Sequence, residues 1–158
     1  MEKTLTDSAA VIAIAFAEGE YMPETTVSTA DIAVAETRHI VPVTGQALYD
    51  KMLEGKYPAL RNDYAVPAAA YFTRLEMQPL LDIRTGRFGA TAPKSPYSQP
   101  AAREQIMDAR RAVRRKARAM LRRLSDYLET HSAEFPEYDS SANILNRCTT
   151  DGGIVQIH

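Results

Sequence analysis

From Ser98 onward the chain reads as one long amphipathic helix, and no other stretch constrains its fold as strongly. Ile106, Val113, Met120 and Tyr127 recur every seven residues, and Ala117, Leu121, Leu124 and Leu128 fill the same stripe. That is the pattern of a helix with one inward face sustained over several turns. Ser98 is placed to cap it and Pro100 to occupy its first turn, so the spacing predicts a helix from about Pro100 to His131. At a rise of roughly 1.5 Å per residue such a helix is about 45 Å long. That exceeds the diameter of a compact domain of 158 residues, so part of the helix is expected to project or to serve a neighbour.

The same helix carries "RRAVRRKARAMLRR", Arg110 to Arg123, with eight basic side chains in fourteen residues and no acid. On a helical wheel Arg111, Arg115, Arg118 and Arg122 form one stripe beside the apolar seam. Arg110 and Arg114 flank one edge of that seam, and Lys116 and Arg123 flank the other. The stripe reads either as an electropositive rod facing phosphates or an acidic partner, or as a solvated face that exploits the high helix propensity of arginine. A merely solubilising face more usually intersperses acids, as this helix does at Glu104, Asp108, Asp126 and Glu129. No aromatic residues interleave the block, which argues against single-strand binding.

Charge distribution says more than total charge. The chain has 20 acids and 19 Lys and Arg, for a net charge of -1, yet residues 1–36 hold seven acids and one base, Lys3. A chain so divided often meets itself or a charged partner. The overall positive charge of a dedicated DNA binder is absent.

The remaining segments are also mostly helical. In "LTDSAAVIAIAFAEGEYMP", Leu5, Ala9, Ile12 and Phe16 fall at helical spacing, although "IAIAF" alternates as a strand would. A short helix is the favoured reading, with Thr6 or Asp7 as its cap. "VSTADIAVAETRHIVPVTG" has a capping arrangement at Ser28 and Asp31, an inward face of Ile32, Ala35, His39 and Ile40, and an end at Pro42 and Gly45. "QALYDKMLEGKYP" predicts a second short helix, with Leu48, Met52 and Leu53 inward and Gly55 closing it; the two are expected to form a helical hairpin. From Pro58 to about Pro79 a further helix carries Leu60, Tyr64, Ala68, Tyr71, Phe72 and Leu75, restarting or kinking at Pro67. "LLDIRTGRFGATAP" suggests a β-hairpin or extended excursion near residues 80–92, and "KSPYSQP" a loop. The end, "TTDGGIVQIH", suggests a terminal strand at Ile154, Val155, Gln156 and Ile157 that closes on its own subunit or adds to a neighbour. The expected fold is mainly α: a helical domain over residues 1–139 and an extended tail over 140–158.

Nothing in the sequence signals catalysis. His39, His131 and His158 follow no metal-ligand spacing. Cys148 is the only cysteine, which excludes an internal disulfide and a cysteine-rich zinc site, and it lacks a nucleophile's local signature. There is no glycine-rich phosphate loop, nucleophile elbow or zinc-protease motif. No apolar run approaches the roughly 20 residues of a spanning helix, and "AAVIAIAFA" lacks the flanks of a signal peptide. A non-enzymatic protein of the cell interior, without metal, cofactor or membrane contact, is expected.

The order "GEYMP", "AETRHIVPVTGQALYDKM", "DYAVPAAAYF", "DIRTGRFG" and a long helix ending "LETHSAEFPEYDS", roughly Gly19 to Asp139, resembles a family of tailed-phage and prophage structural proteins akin to small helical head–tail connector (head-completion) proteins. The resemblance implies a helical bundle assembling as a ring, often a dodecamer, beneath a portal protein. DNA would pass through the centre without sequence-specific binding, and a tail or stopper protein would dock below. It places the chain in the virion neck, and before assembly in the host bacterial cytoplasm. It brings no active site. The rival reading is a small nucleic-acid-binding accessory protein using the Arg111–Arg122 stripe.

Overall fold

Asp7 opens the first helix by accepting a hydrogen bond from the Ala10 N–H at 2.8 Å, so "AAVIAIA" becomes helix rather than strand. In the computed structural model, which describes residues 3–16, 23–82, 84–86, 89–91, 103–151 and 154–157, α1 spans Ser8–Ala15. Its buried side chains are Val11 and Ala15, flanked by Leu5 and Phe16; Ala9 and Ile12, expected inward, are exposed and half-buried. An almost uniformly apolar helix has no strong periodicity to say which side turns inward.

Ser28 and Asp31 cap α2 (Thr29–Ala35) reciprocally, the serine hydroxyl accepting from the Asp31 N–H and the aspartate from the Ser28 N–H. The helix does not end at Pro42. It widens into a π turn over Glu36–Ile40, continues as α3 (Val41–Thr44), and stops at Gly45. Gly45 has φ 78° and ψ 153°, a backbone region that L side chains rarely adopt, and α4 (Gln46–Leu53) starts from it. After α5 (Pro58–Leu60) a second π turn covers Arg61–Ala65 and leads into α6 (Val66–Asp82), which runs through Pro79.

Both π turns are followed by Val–Pro: Val41–Pro42 and Val66–Pro67. In each case the valine N–H donates five residues back, to the Glu36 and Arg61 carbonyls. A proline inside an α-helix has no N–H to donate, and its ring collides with the carbonyl four residues earlier. A wider turn just before the proline absorbs one extra residue and relieves that collision, so the helix neither stops nor restarts.

The longest helix, α7, spans Arg103–Thr130, about 42 Å at the α-helical rise. Its expected start at Ser98 and Pro100 lies outside the described residues. Ala117, Leu121, Leu124 and Leu128 are buried, whereas Ile106, Val113, Met120 and Tyr127 are only half-buried along the edge of that seam. Between Glu104 and Lys116 none of the described side chains is buried, and Met107 is openly exposed. Among the described residues the core draws on α1, the α2–α4 segment, α6 and the second half of α7, and it buries no described side chain of the first half of α7.

Past α7 the chain folds back on it. Asn143 is buried and donates to Ser125 Oγ at 2.8 Å and to the Tyr138 hydroxyl at 2.7 Å. Ser140 donates to Glu129 at 2.7 Å, and Tyr138 and Asn146 also donate to that carboxylate. Ser140, Asn143 and Asn146 thus tie residues 140–147 back onto α7. Burial pushes the Glu129 carboxyl up, but the hydrogen bonds from Tyr138, Ser140, Asn146 and Asn143 outweigh it and leave the group below its usual range. Two antiparallel strand pairs complete the described chain: β1 (Arg84–Gly86) with β2 (Gly89–Thr91) between α6 and α7, and β3 (Cys148–Asp151) with β4 (Ile154–Ile157) at the end. The fold as a whole is mainly α.

A second tie joins the middle of the chain to its end. Tyr57, at φ 59°, is the one non-glycine among the described residues with positive φ, and its hydroxyl donates to Glu137 at 2.8 Å beside Lys56 Nζ at 2.9 Å. Its ring meets Phe135 edge-on at 5.0 Å. The hydrogen bonds from Lys56 and Tyr57 hold the Glu137 carboxyl down to about 2. A depressed carboxyl stabilises the fold above its unfolded value near 4.5 and stops doing so as pH falls toward about 2. The gap in melting temperature between the native protein and Glu137→Gln should therefore be widest near neutral pH and close across that acid window.

Candidate functional site: an arginine groove between α6 and α7

A groove of about 870 Å³ runs between α6 and α7. Phe72, Leu75, Glu76 and Pro79 of α6 form one wall. Arg110, Arg114, Arg115, Arg118 and Arg122 of α7 form the other, with Ala119 and Leu121 between them. His39, from the first π turn, and Leu145, from the 3-10 turn Ile144–Asn146, also line it.

Three of the four stripe arginines, Arg115, Arg118 and Arg122, therefore reach this groove, and Arg110 and Arg114 join them from the edge of the seam. The fourth, Arg111, is not part of the lining and pairs with Asp108 at 3.2 Å on the open surface. Lys116 and Arg123 lie over the rings of Tyr71 and Tyr64 at 5.0 and 4.8 Å, on the opposite edge as the wheel requires. The cations thus divide by task, since a cation over an aromatic face is held in place, while five guanidinium groups line one groove.

Those five have no ion pair among the described residues. The one acid in the lining, Glu76, already accepts from Arg38 Nη1 at 3.0 Å and meets His39 Nε2 at 2.9 Å. His39 stacks on Phe72 with ring centroids 3.9 Å apart, so it packs against α6. The five arginines spread positive charge over about 18 Å from Arg110 to Arg122, along a partly apolar trough. Guanidinium groups of this kind recognise carboxylates and phosphates through planar, paired hydrogen bonds.

A second polar centre is enclosed. Glu36, the first residue of its π turn, is fully buried; its carboxylate accepts from the Leu5 N–H at 2.9 and 3.1 Å and from the Tyr49 hydroxyl at 2.6 Å. Arg61, the first residue of the other π turn, donates to the Leu5 carbonyl at 2.7 and 3.0 Å. The two π turns thereby grip both sides of one residue, Leu5. Burial pushes the Glu36 carboxyl up, against the hydrogen bonds from Tyr49, Leu5 and Thr6 and the nearby charge of Arg61. Fully buried, this centre holds the N-terminal segment in place through Leu5.

The arginines were legible in the sequence, but Glu36, Glu76 and Leu145 were not. The repeated Val–Pro pair is a local signal that could have marked the two π turns, where the proline rule alone places a helix end at Pro42 and a restart or kink at Pro67, whereas nothing local marked Glu76 as the carboxylate facing the block. No group of three or more His, Cys, Asp or Glu able to hold a metal exists among the described residues. No described helix is long and apolar enough to cross a membrane. The side chains of the expected linking strand, Ile154 to Ile157, lie outside the described ones, as does His158.

No curated protein and no solved structure matches the chain. Residues 40–147, which take in the second proline-linked turn, both walls of the groove and the returning segment at Asn143, match the model of DUF6712, a family of unknown function, and the chain belongs to that family.

Proposed function

We propose that the protein is a non-catalytic structural component of a tailed phage or prophage, a head–tail connector that assembles as a homo-oligomeric ring between portal and tail in the virion neck. The observation that supports this most is the unfinished surface of α7. Its first half buries no described side chain, presents half-buried Ile106 and Val113 and exposed Met107, and leads into arginines that have no ion pair among the described residues. Such a surface gains from a neighbouring molecule and is poorly suited to an isolated monomer. In the same reading the finer architecture is a helical bundle with a small hairpin near residues 80–92 and a C-terminal strand, Ile154 to Ile157, whose edge away from Cys148–Asp151 links neighbours. No cofactor is needed, and DNA passing the ring is not read by sequence.

Light scattering over a wide concentration range, with and without the portal protein of the same phage, tests this reading. A multi-subunit species of defined mass is expected in at least one arm; non-interacting monomers in both would overturn it. The unpaired arginines also support a second reading, a nucleic-acid-binding accessory protein. It requires duplex binding that weakens steeply with salt, and absence of affinity at both low and moderate salt removes it.

A further inference from the structure

We propose that the groove between α6 and α7 is a docking site for an acidic amphipathic segment of a partner protein. This deepens the assembly reading above and rests on it only in taking the arginine face as a contact surface.

Two features of the groove have to be met together. The first is charge: Arg110, Arg114, Arg115, Arg118 and Arg122 line it, and the one acid present, Glu76, is taken by Arg38 and His39. An occupant must therefore bring several negative groups spread over about 18 Å. The second is apolar surface. Leu75 and Leu145 are half-buried, and Ala119 and Pro79 exposed, within the same trough.

A nucleic-acid backbone satisfies the first feature and leaves the second uncovered. It would also find no free stacking ring, because His39 already covers Phe72, which is itself buried. A protein segment with carboxylates on one side and aliphatic side chains on the other satisfies both, in the manner of a helix laid in a groove. The depletion of other acids in the lining gives selectivity, since a basic or neutral segment would leave five guanidinium groups unpaired beneath it.

The test uses the full chain and a fluorescein-labelled peptide of glutamate and leucine in an amphipathic helical pattern, followed by anisotropy at low salt. Two peptides of the same length, one with serine for leucine and one with lysine for glutamate, and a duplex DNA of arbitrary sequence complete the set. The glutamate–leucine peptide is expected to bind, the serine peptide to bind roughly tenfold more weakly, and the lysine peptide not to bind. Arg114→Glu with Arg118→Glu, both at exposed positions, should weaken the first peptide by about tenfold or more. Ala119→Asp, also exposed, should weaken it through the floor of the groove. Equal binding of the serine peptide, binding of the duplex alone, or binding of nothing in the set each overturns the proposal. So does self-association that the arginine reversals abolish while no peptide binds, because the occupant is then a second copy. Ring formation on the portal is read by mass and is independent of peptide affinity, so failure here and failure of the connector reading are distinguishable.

Discussion

Glu36→Ala is expected to lower stability by about 1–3 kcal/mol, because it strands the buried Leu5 N–H and takes an acceptor from the Tyr49 hydroxyl. The Leu5 N–H and the Tyr49 hydroxyl both end on that carboxylate. The loss is offset in part, since removing the carboxylate also removes the cost of keeping a charge out of water, the cost that raises its pKa. The stranded Leu5 N–H dominates, since a buried donor left unmade costs about 1–3 kcal/mol. Glu36→Gln keeps an acceptor in place and should lie much closer to the native protein. Urea unfolding of the three proteins reads these differences directly.

The same residue makes a pH prediction of opposite sign to that for Glu137. A carboxyl whose folded pKa is raised holds its proton more tightly folded than unfolded. Between the unfolded value near 4.5 and the raised folded value, the folded state binds more protons, so stability falls as pH rises through that window. In Glu36→Gln this fall should be absent. A native pH profile as flat as that of the glutamine variant would show that the carboxyl is not buried in solution.

The second large effect separates the two halves of α7. Leu124→Ala should cost about 2–5 kcal/mol through lost burial and a residual cavity, since Leu124 is fully buried. Val113→Ala, on the same sequence stripe, should cost less than about 1 kcal/mol, since Val113 is only half-buried. A native-sized loss at Val113 would place the first half of α7 against the core and remove the uncovered surface on which the assembly reading depends. If a partner covers that surface, the Val113 effect should grow when the partner is present.

Much of this contrast was visible in the sequence and part was not. The apolar stripe, the flanking of Arg110 and Arg114 against Lys116 and Arg123, and the Ser28–Asp31 cap all follow from spacing along one helix. Local periodicity states which side of a helix is apolar. It does not state how far along the helix a neighbour extends, so Val113 and Leu124 look alike until α6 is in place. Pro42 illustrates the same limit. As a local rule it ends a helix, yet the chain continues through it, because the preceding turn can widen at the cost of one inserted residue.

What the sequence by itself determined was the mainly helical class, the caps, the inward stripe of α7 and the concentration of arginines on it, all set by interactions within a few residues. Only the tertiary structure decided that Arg111 stays on the surface while Arg110 and Arg114 face the groove, that Glu76 is occupied by Arg38 and His39, and that Glu36 is sealed against Leu5. The physical reason is sequence distance: Glu76 lies 37 residues from His39, and Glu36 lies 31 from Leu5. Such pairs form only when packing brings separate helices together, so no local pattern encodes them.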